Sequence, residues 1–114
     1  MNDPDDRAEL IQGTLEMLVL KALSRGANHG FGVARWIEGA TDGGLQVEEG
    51  ALYPALHRMH RRGWLAADWG VTENGRRAKY YRLTAAGRAE LRARIRTWER
   101  SVAAVEQVLT AEGA

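Results

Sequence analysis

Gly50-Ala51-Leu52-Tyr53-Pro54-Ala55-Leu56-His57-Arg58-Met59-His60-Arg61-Arg62-Gly63 runs directly into Trp64-Leu65-Ala66-Ala67-Asp68-Trp69, then Glu73-Asn74-Gly75-Arg76-Arg77, then Lys79-Tyr80-Tyr81-Arg82-Leu83. Residues 48–62 read as a helix with Leu52, Leu56 and Met59 on its inner face and Gly63 as its stop. Pro54 fits near the first turn, where a missing N–H matters least; a helix starting before Gly50 would be kinked there. Arg58, Arg61 and Arg62 fall on the outer side. The texture then changes to two short aromatic stretches, the second roughly alternating, separated by an Asn-Gly pair. That is a hairpin with a mobile basic tip.

Upstream, residues 14–25 read as a helix. Ile11, Leu15, Leu18, Val19, Ala22 and Leu23 form its stripe, Thr14 its N-cap and Gly26 its stop. A second helix covers 30–40, with Phe31, Ala34, Ile37 and Trp36 as its inner face, and breaks at Gly39 and the Thr41–Gly44 turn. His29 packs at the turn before it. Downstream, Leu91, Ile95, Trp98, Val102, Val105 and Leu109 recur at alternating spacings of four and three. That period belongs to a coiled-coil seam rather than to the broader stripe of a globular helix. Capped by Thr84, this last helix spans about 39 Å at 1.5 Å per residue. It outreaches a three-helix core, and a second copy of the chain is the simplest cover for its seam. The alternative is that the seam folds back on the chain's own first helix.

With 114 residues, 45% hydrophobic and 27% charged, the chain has globular usage and room for one domain. No cysteine is present, which excludes disulfides and thiolate metal sites and fits a cytoplasmic setting. The acidic start is no secretory signal, and the apolar stretch around Leu15–Leu23, broken by Glu16 and Lys21, is too short to span a membrane. Net charge is only +1, but its distribution is uneven: residues 57–82 hold seven basic groups against Asp68 and Glu73. A polyanion partner needs such a local surplus. His57 and His60 share a metal-compatible spacing but lack further ligands, so no metal or cofactor is expected. Ser24 and Ser101 stand outside any nucleophile elbow, and Gly30-Phe31-Gly32 lacks the third glycine and preceding strand of a dinucleotide fingerprint. Enzymatic activity is not expected, and no catalytic residue is assigned.

Three helices, a basic-tipped hairpin and a long helix make a mainly α fold: a winged helix-turn-helix with an appended dimerisation helix. The divisions are an N-terminal segment (1–12), the winged module (13–84) and the dimerisation helix (85–112). In such a module the third helix enters the major groove and the hairpin lies along the backbone or reaches the minor groove. Gly50, Ala51, Tyr53, His57 and Arg58 are placed to reach bases, with Pro54 beside them. Arg61, Arg62, Arg76, Arg77 and Lys79, with Tyr81, hold the backbone.

The chain also resembles the short form of the PadR family of bacterial transcriptional regulators, over roughly residues 10–110. The likeness rests on Gly13-Thr14-Leu15, His29-Gly30-Phe31-Gly32, the stretch from Gly50 to Met59, and Lys79-Tyr80-Tyr81-Arg82-Leu83-Thr84 with Gly87. It implies a homodimeric repressor on double-stranded DNA, released when an effector, often a small aromatic compound, binds. It also implies that Tyr53, Arg76, Arg77 and Lys79 contact DNA. Ala51 and Glu48 depart from the family's usual Thr and small hydroxyl, and Met59-His60-Arg61-Arg62 makes the helix end more basic, which suits the negative end of its dipole. In short-form relatives an aromatic-lined cavity lies at the dimer interface; Trp98, with Ile95 and Met17, is the candidate lining here. Trp98 as plain interface packing is the alternative, and Trp36, Trp64 and Trp69 are read as structural. The expected operator is palindromic, with half-site centres about 10 bp apart. The competing reading is a winged-helix protein-interaction module that never touches DNA.

Overall fold

The computed structural model describes residues 12–113, so Ile11 and the rest of the N-terminal segment lie outside the described residues. The elements run α1 (Gln12–Leu23), β1 (Asn28–His29), α2 (Gly30–Ala40), α3 (Glu49–Arg61), β2 (Leu65–Val71), β3 (Arg77–Leu83) and α4 (Ala85–Leu109). The core lies where α1 meets α2, α3 and the base of the sheet. Leu15, Val19, Leu20 and Leu23 of α1 meet Val33 and Ile37 of α2, Leu52, Leu56 and Met59 of α3, and Leu65 and Leu83 of the strands. Each such side chain contributes about 1.5–3 kcal/mol by leaving water.

Four local expectations need correction. Thr14 is not a cap, because α1 already begins at Gln12. Phe31 is 56% exposed, and fully buried Val33 takes the inner place on α2. That helix passes through Gly39 and ends in a Schellman turn. There the Gly43 N–H donates to the Glu38 carbonyl at 2.8 Å, and Asp42 adopts the left-handed conformation (φ 50°). The hairpin, finally, is part of a three-stranded antiparallel sheet in the order β1-β3-β2, since Asn28 and His29 pair with Tyr81 and Tyr80. A two-residue strand is too short to leave a pattern in sequence. His29 also caps α2, its Nδ1 accepting from the Gly32 N–H at 3.1 Å.

Helix α3 begins at Glu49, with Glu48 in the cap position but making no side-chain cap bond. Pro54 therefore falls in the second turn, where its missing N–H leaves the Gly50 carbonyl without an intrahelical donor. The helix ends on Gly63 (φ 79°) with a second Schellman turn: the Trp64 N–H donates to Met59 and the Gly63 N–H to His60, each at 3.0 Å. This turn sends the chain straight into the wing.

The wing returns to the same point. The Thr84 N–H donates to the Trp64 carbonyl at 3.0 Å and its hydroxyl to the Gly63 carbonyl at 2.6 Å. The same hydroxyl accepts from the Gly87 N–H at 3.0 Å, capping α4. A methyl group on Gly87 would overlap the Trp64 carbonyl oxygen, so the close approach of α4 to the base of the wing requires glycine.

Of the expected seam, Leu91 is buried in the chain's own core and Ile95 packs half-buried against it. The place of Leu91 in the seam is corrected accordingly: the first turns of α4 lie on the core, which covers Leu91 and half-covers Ile95. Trp98, Val102, Val105 and Leu109 are 38–76% exposed on the part of α4 that extends beyond it.

Candidate nucleic-acid interface

In α3, burial of Leu52, Ala55, Leu56 and Met59 leaves Gly50, Pro54, His57 and Arg61 at helical spacing as an outward ridge, all exposed. Tyr53 flanks the ridge on the α2 side, its ring close against Gly30, where a Cβ would stand 2.8 Å from the Tyr53 Cε1. Ala51 is exposed as well. On the opposite flank Arg58 leans toward α1. Its Nε lies 3.0 Å from Glu16 Oε2 of α1, and the other Glu16 oxygen is 2.8 Å from Arg94 of α4. A buried carboxylate must be paired, and the Arg58 Nε–H supplies part of that pairing, while the rest of the side chain keeps 23% exposure beside Tyr53, Pro54, His57 and Arg61. Arg62 is exposed but stacks 5.2 Å over the Trp64 ring, with the Arg94 guanidinium 5.0 Å from the same ring.

The wing turn is closed by bonds between Thr72 and Arg76, with Gly75 at φ 76°. Arg76 and Arg77 are exposed there, while Lys79 sits within β3 rather than at the tip. Tyr81 is 6% exposed and its ring meets His60 edge-on at 6.3 Å. Burial, reinforced by nearby Tyr53, raises its phenol above the ordinary value of 10.0. Tyr81 therefore belongs to the core, and its expected contact with DNA is withdrawn: strand alternation aims it inward.

A groove of about 630 Å³ opens between α1, the end of α3 and α4. Met17 and Trp98 line it, as do Arg58, Arg62 and Arg94; Ile95 does not, being turned to the core. Arg94 is held charged: burial alone would lower its pKa, but hydrogen bonds to Glu90 and Glu16 outweigh that and raise it. Among the described residues no cluster of potential metal ligands occurs, and no helix is long and apolar enough to cross a membrane.

Residues 19–93 match the Transcriptional regulator PadR-like family. The chain belongs to the PadR-like family. It is similar to a PadR-family transcriptional regulator from Eggerthella lenta of known structure, at 32% identity and TM-score 0.77, covering 92% of this chain and 89% of that one. A transcriptional regulator from Clostridium thermocellum aligns with TM-score 0.79 and 25% identity over 87% of this chain and 96% of that one. A transcriptional regulator of Mycobacterium tuberculosis is 46% identical over 48 residues, 42% of this chain and 44% of that protein. PadR-like proteins are transcriptional regulators, not enzymes, and their winged-helix fold is the one found here.

Within this PadR-like chain, sequence reasoning missed two residues of the site region. Glu16 reads as a polar interruption of an apolar helix, yet it ties α1 to α3 and α4. Its signal was its position, four and seven residues before Leu20 and Leu23 on the buried side. Trp69, read as structural, is 61% exposed on the wing with Arg77 over its ring; Trp36 and Trp64 do pack against the core.

Proposed function

We propose that this chain is a homodimeric, sequence-specific DNA-binding repressor, released from a palindromic operator by a small aromatic effector. The observation that carries the reading is the exposed α3 ridge of Gly50, Pro54, His57 and Arg61, flanked by Tyr53, beside a wing bearing Arg76, Arg77 and Lys79. Ridge residues suit base edges in the major groove, and the wing cations suit the backbone and the neighbouring minor groove. Dimerisation is supported by Trp98, Val102, Val105 and Leu109, an apolar row standing off the core of one chain. The effector reading is supported by the groove in which Trp98 and Met17 face three guanidiniums. A regulator of this kind works in the cytoplasm.

Selection from random duplexes at about 150 mM salt tests the reading, since salt weakens backbone contacts more than base readout. The expected product is an inverted repeat with half-site centres about 10 bp apart. Arg76→Glu with Arg77→Glu should abolish retention of the selected duplex. Retention by that variant, or selection of no sequence at all, contradicts the proposal. For the effector, quenching of Trp fluorescence by planar aromatic compounds should disappear in Trp98→Ala.

A further inference from the structure

The sheet face buried at Leu65 and Leu83 continues past the core to Trp69, Val71, Arg77 and Lys79. Trp69 and Val71 are 61% and 69% exposed. The Arg77 guanidinium lies 4.5 Å over the Trp69 ring, the Lys79 ammonium 5.8 Å over Tyr81, and Tyr81 meets His60 of α3. Rings and cations thus line one face from the last turn of α3 to the end of the wing. Asp68, the acid of β2, falls by alternation on the opposite face. On that other face Tyr80 lies close over Gly70 and its hydroxyl donates to the Val71 carbonyl at 3.2 Å, which braces the strand carrying Trp69.

A cation that only meets a phosphate needs no apolar support. An exposed indole beside an exposed valine, rimmed by cations, makes the kind of apolar patch that marks an interaction site. Deoxyribose walls lined with C–H groups, above a floor of strongly negative potential, match both halves of this surface. We propose that Trp69 is a positioning residue that holds Arg77 ready for the minor groove of duplex DNA, beside the major-groove site of α3. It thereby sets a preference for narrow, A·T-rich minor groove at the outer positions of the operator. Stacking in the free protein reduces the rotamer freedom that Arg77 loses on binding. The inference rests on the DNA-binding reading above.

The test repeats the selection from random duplexes with the full chain and with Trp69→Ala, Trp69→Phe and Arg77→Ala. The wild-type chain should enrich A·T pairs at the outer positions. Trp69→Ala should keep the inner, helix-read positions, lose the outer preference, and bind the wild-type duplex about three- to tenfold more weakly. Arg77→Ala should do the same, the double variant should be no weaker than Arg77→Ala alone, and Trp69→Phe should keep the preference. Thermal unfolding of Trp69→Ala should match the wild type, because the ring is exposed. No outer enrichment by the wild type, an unchanged outer preference in Trp69→Ala, equal weakening on A·T- and G·C-flanked duplexes, or additive losses would each overturn it. A wild-type chain that selects no sequence fails the DNA-binding reading instead, so the two failures are distinguishable.

Discussion

Glu16 stands on the side of α1 where helical spacing calls for an alkyl group, and only the two arginines that reach it make that tolerable. Replacing it by Gln leaves Arg58 and Arg94 without their shared carboxylate. Because both guanidiniums retain some access to water, the expected loss is about 2–3 kcal/mol rather than the full cost of stranding buried charges, read by denaturant unfolding. The Tyr81 phenol supplies a pH prediction. Its pKa is raised in the folded chain, so folding favours the neutral form. That contribution is complete below the ordinary pKa near 10.0 and is lost as pH rises from there through the folded value. Unfolding measured against pH should show this alkaline decline in the wild type and less of it in Tyr81→Phe, with stability at neutral pH within about 0.5 kcal/mol. Tyr81 was misread, and the pairing of Arg58 with Glu16 went unforeseen, for the same reason. Spacing tells which side of an element is inward, but not which flank a neighbouring element covers or how far along a strand the core extends.

At the level of elements, periodicity and punctuation were informative. The bounds of α2, the Thr84 cap, the stop at Gly63 and the length of α4 follow from helical spacing and turn chemistry, and the structure has them. β1 was illegible because two residues carry no pattern, and its pairing depends on β3, some fifty residues away. Thr84 joins three elements through one hydroxyl. Thr84→Ala should therefore cost about 1–2 kcal/mol in thermal or chemical unfolding, at or above the usual loss of a helix cap, because the Gly63 carbonyl loses its donor as well. Thr84→Ser should recover most of it.

In the whole molecule, a core made by four helices and the sheet base supports two projections: the wing and the outer half of α4, within an envelope of 60 × 33 × 20 Å. The family and the winged architecture were legible from motif order, whereas the division of α4 was not. A regular heptad looks uniform in sequence, yet its first position is taken by the core and its second is half-buried against it. Ile95→Glu should therefore lower both the melting temperature and self-association. Val102→Glu, at an exposed position, should shift sedimentation toward the monomer with little change in melting once concentration dependence is allowed for. The most direct test of the central claim is the mass, by multi-angle light scattering, of the full chain bound to its selected duplex. Two 12.6 kDa chains on one inverted repeat are expected; a single chain per duplex, or a chain that leaves the duplex unbound, would contradict the account.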